Sequence, residues 1–225
     1  MSNLVVATLF LLGTHFGIAS TNLRQQVVES IGERLYLALY SIISLVAIVW
    51  LVSAWRAAPL VQLWVPGAAL TALPFFLVPL ALLLQVCALC QPNPTAVGQE
   101  VDADAAEPAR GMLRVTRHPL MWGVGLWAIA HILAKGDLAS LLFFGAFATL
   151  ALAGTVLIDA RKTRRNPPGW GVFLQRTSNL PFAAILQGRQ RLELGEIGLL
   201  RVAVAFGLYV VLLWAHGWLF GAALF

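Results

Sequence analysis

Six apolar stretches, each of roughly 20 residues or more, run through this chain of 225 residues, and no other feature constrains its fold as strongly. They lie at about 3–22, 35–55, 62–90, 117–134, 138–158 and 198–224. A hydrocarbon core about 30 Å thick is crossed by roughly 20 helical residues. Hydrophobic residues make up 60% of the chain and charged ones 11%, too lopsided for a water-soluble fold of this size to hide. A secreted domain, a nucleic-acid-binding module and a disordered regulator are excluded on that ground. The expected fold is all-α: one polytopic membrane helix bundle over 1–225, with about six transmembrane helices. Nowhere does a strand-like alternation run long enough for a barrel.

The third stretch is long and carries Pro66, Pro74 and Pro79, which predicts a kinked or broken helix. The fourth and fifth are joined only by Lys135-Gly136-Asp137 and form a tight hairpin. Residues 91–116 read as a polar, mobile loop with Glu100, Asp102, Asp104 and Glu107. Residues 159–197 read as a basic loop lying against anionic headgroups, partly as amphipathic helix.

With six spans, thirteen of the fifteen Lys and Arg residues fall on one side, and only Arg56 and Lys135 on the other. Positive residues stay in the cytoplasm, so both termini face away from it in a multi-pass protein of the inner, cytoplasmic membrane. No Lys or Arg precedes Arg24, so the first span lacks the positive start of a cleaved signal and is expected to remain as a helix. Trp50, Trp55 and Trp64, with Trp214 and Trp218, suit the outer interface.

Polar groups inside spans are costly and therefore informative. His15 sits in Gly13-Thr-His-Phe-Gly17, as a ligand to a flat group or as a partner in an interhelical hydrogen bond. His118 lies in Thr-Arg-His-Pro-Leu-Met-Trp-Gly (116–123), where Pro119 suits a first helical position and Thr116 a cap. Arg117 and His118 would there face headgroups or the acid groups of a cofactor, or simply start the helix with snorkelling charges. His131 is 13 residues further along the same helix. That spacing turns it roughly 220° and about 20 Å from His118, so the two cannot ligate one iron together. His216, between Trp214 and Trp218, reads as interfacial.

Cys87 and Cys90 have Cys-x-x-Cys spacing, but Gln91 follows where covalent haem attachment needs His, and no second pair completes a zinc site. Small residues packing between helices is the simpler reading. Asp159 ends the fifth span, where a helix prefers cations, so it is expected to pair with Arg117 or Arg161. Phosphate-loop, nucleophile-elbow and His-Glu-x-x-His motifs are missing.

Taken together, His15, the 116–123 motif, Ala130-His131 and Asp159-Ala-Arg with its basic tail resemble the NnrU family of membrane proteins, over about 1–190. The resemblance implies, from the family's carotenoid isomerase branch, a non-covalent b-type haem held by His15 and His131, with a role for His118. Position 128, where that branch has been linked to a cysteine ligand, is Ala128 here. Depth complicates the pairing: His15 lies about 18 Å and His131 about 6 Å from the outer ends of their spans. His15 with His118 is the rival pair.

Three functions follow as expectations. One is a haem-dependent cis-trans isomerase of a carotenoid polyene, a lipophilic substrate entering from membrane lipid. Another is a non-enzymatic haem-binding accessory or sensor in denitrification, with nitric oxide at the iron. The last is a membrane methyltransferase, because Arg117-His-Pro and Pro168-Gly-Trp-Gly-Val-Phe are similar to segments that hold S-adenosylmethionine.

Overall fold

The computed structural model describes residues 1–19, 21–101 and 107–221, and these form helices joined by turns, with no strand among them. Asp102 and Asp104 of the acidic loop lie outside the described residues. Helix α1 (Ser2–Gly13) runs into a wide π-helical turn (Thr14–Ala19), followed by α2 (Asn22–Ile31) and α3 (Glu33–Arg56). Then come α4 (Ala68–Leu89), a 3-10 turn (Gly111–Arg114), α5 (Pro119–Lys135) and α6 (Leu138–Arg165). Three short helices, α7 (Trp170–Arg176), α8 (Ala183–Leu186) and α9 (Leu194–Ile197), lead to α10 (Leu199–Phe220).

Helices α3, α4, α6 and α10 are long and apolar enough to cross a membrane, and the α1–α2 pair adds a fifth if counted as one span bent by 76°. Helix α5 has 17 residues, about 25 Å of rise, and falls at the lower limit for a span. Each of the six expected stretches therefore contains helix among the described residues, and four of the helices meet the length criterion outright. Little of these helices is covered by protein: only 6% of the α10 span and 17% of the α3 span is buried, as expected of surfaces solvated by lipid.

The chain divides into two compact units. One contains Met1–Leu73 and Ala128–Leu150. Here α1 packs on α3, with Leu4, Ala7 and Leu11 buried on one helix and Ala47, Leu51 and Ala54 on the other. The Trp50 indole donates to Asn3 Oδ1 at 3.0 Å and its ring meets Phe10. The expected third span from residue 62 is corrected: its first residues are an extended strap, and the helix starts after Pro66, at Ala68. Backbone N–H groups of Leu63 and Trp64 donate to the Gly136 carbonyl, and Leu138 N–H donates to the Val61 carbonyl, so the strap clamps the α5–α6 hairpin. Gly136 has φ +68°, and a Cβ there would strike the Trp64 carbonyl oxygen. Only glycine satisfies both demands. Asp137 caps α6 by accepting from Ser140 N–H at 2.8 Å.

The other unit contains Pro74–Trp127 and the chain from Ala151 onward. Helices α4 and α5 approach closely at Gly123, where a Cβ would lie 2.7 Å from the Ala81 carbonyl oxygen. Two sequence expectations are corrected in this unit. The described part of the 91–116 loop is not a solvated polar loop, because Asn93, Thr95, Ala109 and Met112 to Thr116 are buried. Nor is 159–197 simply a headgroup loop: α6 continues to Arg165, and Trp170 and Phe173 enter a core with Val101, Ala109 and Leu113. Those aromatics found apolar partners far along the chain, and their burial outweighs the basic residues around them.

Candidate functional site

The histidines that the sequence singled out fall in both units: Arg117, His118 and His216 belong to the unit that starts at Pro74, His15 and His131 to the other.

His118 immediately precedes Pro119, the first residue of α5. Its ring Nε2 donates to Asp159 Oδ1 at 2.9 Å, and Arg117 Nε lies 3.5 Å from Asp159 Oδ2. One carboxylate on α6 thus binds two consecutive residues at the start of α5. The Arg117 partner expected for Asp159 is present, and His118 is a second partner that the sequence did not reveal. The expectation of snorkelling charges does not hold: His118 is 1% exposed and Arg117 9%. Burying an ion pair costs several kcal/mol of solvation per ion, which only close partners offset.

A loop from α7 to α8 closes over this centre. Arg117 N–H donates to the Ser178 carbonyl at 2.9 Å. Thr116 Oγ1 and Trp122 Nε1 both donate to the Asn179 carbonyl, and Asn179 Nδ2 donates to Thr155 Oγ1. Thr116 also accepts from His118 N–H at 3.2 Å, so it fixes the approach to α5 as the expected polar residue there. Arg117 Nε and Nη1 and His118 Nδ1 are buried with no hydrogen-bond partner among the described residues. Below this centre Arg114 Nε donates to Glu196 Oε2 at 2.8 Å, and Gly111 N–H donates to the same oxygen at 2.7 Å. The hydrogen bond from Arg114 holds the Glu196 carboxyl down at about 2, with the Gly111 N–H adding to it.

In the other unit, His15 occupies the π-helical turn. Such turns are rare and concentrate at functional sites. Nδ1 of His15 lies 2.9 Å from the Leu11 carbonyl oxygen and donates to it, which anchors the ring on its own helix. Metal-ligating imidazoles commonly have one nitrogen anchored in this way. A Cβ added at Gly13 or Gly17 meets nothing within 4 Å, so space is open at both glycines that flank the histidine in sequence. The Tyr40 ring meets His15 edge-on at 5.4 Å and Tyr36 stacks on Tyr40 at 5.7 Å. The Tyr36 hydroxyl is buried without a hydrogen-bond partner among the described residues. The Tyr36/Tyr40 pair was missed in the sequence, although its i, i+4 spacing on α3 is visible there.

His131 stacks on Phe144 at 4.8 Å, and Phe144, Phe143, Phe147 and Trp55 continue as one run of aromatic contacts. The ring of His216 meets Phe220 at 5.0 Å on α10. Ala128 is fully buried. Among the described residues no three His, Cys, Asp or Glu side chains gather to hold a metal ion by themselves. A porphyrin brings four nitrogens of its own, so a haem asks the chain for only one or two ligands.

A sequence profile described as NnrU protein matches residues 3–224. The chain belongs to the NnrU family. Two curated relatives, named 15-cis-zeta-carotene isomerase, chloroplastic, come from Zea mays and Arabidopsis thaliana. Each is 38% identical, over 82 and 85 residues respectively. In both cases the aligned part is 36% of this chain and 22% of the relative, so the chain spans about a fifth of the length of these proteins. No solved structure matches. The Pro168–Phe173 stretch, expected from its likeness to methyltransferase segments to hold S-adenosylmethionine, contributes Trp170 and Phe173 to a hydrophobic core.

Proposed function

We propose that this protein is a multi-pass protein of the cytoplasmic membrane, its basic loops inside, that isomerises a cis double bond in a carotenoid-type polyene with the help of haem b. The observation that carries the cofactor reading is His15 in its π-helical turn, with Nδ1 given to Leu11 and open space at the flanking glycines. The substrate class is supported by the partial likeness to the two plant isomerases.

His15 and His131, both in the unit that begins at Met1, would hold the haem. Bound there, the iron would supply a redox-adjustable centre able to interact with a conjugated double bond. Isomerisation moves no atoms between molecules, so the chain's own task is to hold an extended apolar molecule in one geometry away from water. Trp55 and Phe147, half-buried and packed against the buried Phe143 beside His131's neighbour Phe144, would offer flat apolar surface for that purpose. Tyr36, with its buried hydroxyl, supplies a polar handle near His15. His118 is spent differently: its Nε2 is bound to Asp159, so it positions the start of α5, the helix that also carries His131.

An absorption spectrum of the purified protein tests the cofactor, and conversion of cis-zeta-carotene in cells lacking an isomerase tests the activity. A Soret band lost in His15→Ala and His131→Ala but kept in His216→Ala is the expected result. Colourless protein from haem-replete cells overturns the cofactor reading. A haem-loaded protein that leaves the polyene unchanged returns the accessory role in nitrogen-oxide chemistry, with nitric oxide as the ligand.

A further inference from the structure

Helix α4 ends and α10 begins on either side of a half-open cavity of about 430 Å³, lined by Val86, Cys90, Gly198, Leu199, Leu200, Arg201 and Val204. Its size falls within the range of small-ligand sites. The walls are apolar apart from one cation. Arg201 Nη1 donates to the carbonyls of Glu196 and Ile197, at the C-terminus of α9, and Nη2 to the Cys90 carbonyl. No carboxylate pairs with this guanidinium among the described residues, since Glu196 gives its oxygens to Arg114 and Gly111. Its charge therefore stays available at the mouth of the cavity. Around it Leu89, Leu194, Leu199 and Leu200 are all strongly exposed, and α10 beyond them is almost bare of protein contacts. Leucines held at a surface beside an unneutralised arginine match a membrane interface, where hydrocarbon and phosphate meet.

We propose that this cavity binds one anionic phospholipid, with its phosphate at Arg201 and an acyl chain along Val86, Leu200 and Val204. A neutral polyene would leave Arg201 without a counter-charge, and a soluble anion would leave the apolar walls wet; a phospholipid satisfies both. The inference rests on the membrane character of the chain and not on haem binding or isomerase activity, so it stands or falls separately from the proposed function. The exposed Cys90 lines the cavity while Cys87 is fully buried, which gives the site its own reporter.

The experiment reconstitutes the full chain in phosphatidylglycerol or phosphatidylcholine vesicles and follows maleimide alkylation of Cys90, with native mass spectrometry of the solubilised protein counting retained lipid. Wild type is expected to keep one phosphatidylglycerol in preference to phosphatidylcholine and to react about fivefold more slowly in phosphatidylglycerol, the effect of one cation at an anionic surface. Arg201→Gln loses both differences and Arg201→Lys keeps them. Val204→Trp, which fills the cavity and leaves the arginine, also loses the retained lipid, so the result does not hang on one variant that could unfold. Equal retention of the two lipids by wild type overturns the proposal. So does protection of Cys90 in detergent by inorganic phosphate alone, which would assign the site to a free anion.

Discussion

In the unit beginning at Met1, His15 and His131 are set among aromatic rings and helix backbone; in the unit beginning at Pro74, Arg117 and His118 bind Asp159, and Arg114 binds Glu196. An imidazole whose Nδ1 is anchored to its own helix has its ring orientation set locally. One whose Nε2 serves a carboxylate has become part of the scaffold. The two histidines thus meet different partners, and what sets His118 apart is an acid 41 residues away on α6.

The largest expected effect would break this contrast outright. His15→Ala should abolish haem absorbance in the purified protein, while His118→Ala should keep it at reduced yield; loss of the band in both would erase the distinction. Next, Asp159→Asn leaves the Arg117 guanidinium buried without its counter-ion. The expected cost is about 3–5 kcal/mol, read as a lowered melting temperature in detergent. Gly136→Ala should cost about 1–3 kcal/mol through the positive φ and the collision with Trp64, measurable in the same melt.

A smaller effect separates the units by pH. Glu196 sits at about 2 in the folded chain against an ordinary 4.5. A depressed carboxylate contributes stability that is full above its ordinary value and lost as the pH falls through the folded one. The melting temperature should therefore drop between pH 4.5 and pH 2 in wild type, and drop less in Glu196→Gln. Equal slopes in the two proteins would show that this carboxylate is not what couples the unit to pH. His216→Ala should change neither spectrum nor stability.

The membrane-helix character was legible because it is written in consecutive residues: apolar runs, Pro119 at the start of α5, and Lys135-Gly136-Asp137 between α5 and α6. The pairing of Asp159 with Arg117 was also within reach, since an acid at a helix C-terminus needs a cation. What could not be read was anything joined across long separations. Arg114 and Glu196 are 82 residues apart, and Trp170 and Phe173 reach their core partners past the whole of α5 and α6. Composition made those segments look like solvated loops, because their charges are countable in sequence while their partners are not. The π-helical turn at His15 was equally hidden, since Gly13-Thr-His-Phe-Gly17 carries no breaker stronger than glycine.

That turn has a consequence for chain length. Its hydrogen bonds reach one residue further than those of an ordinary helix, so it stores a surplus residue between Thr14 and Ala19. Excising one amino acid there would let the segment tighten and rotate everything before it by about 100°. The imidazole would then face another neighbour while all its side-chain chemistry stayed the same, a deletion scan in which geometry alone is the variable.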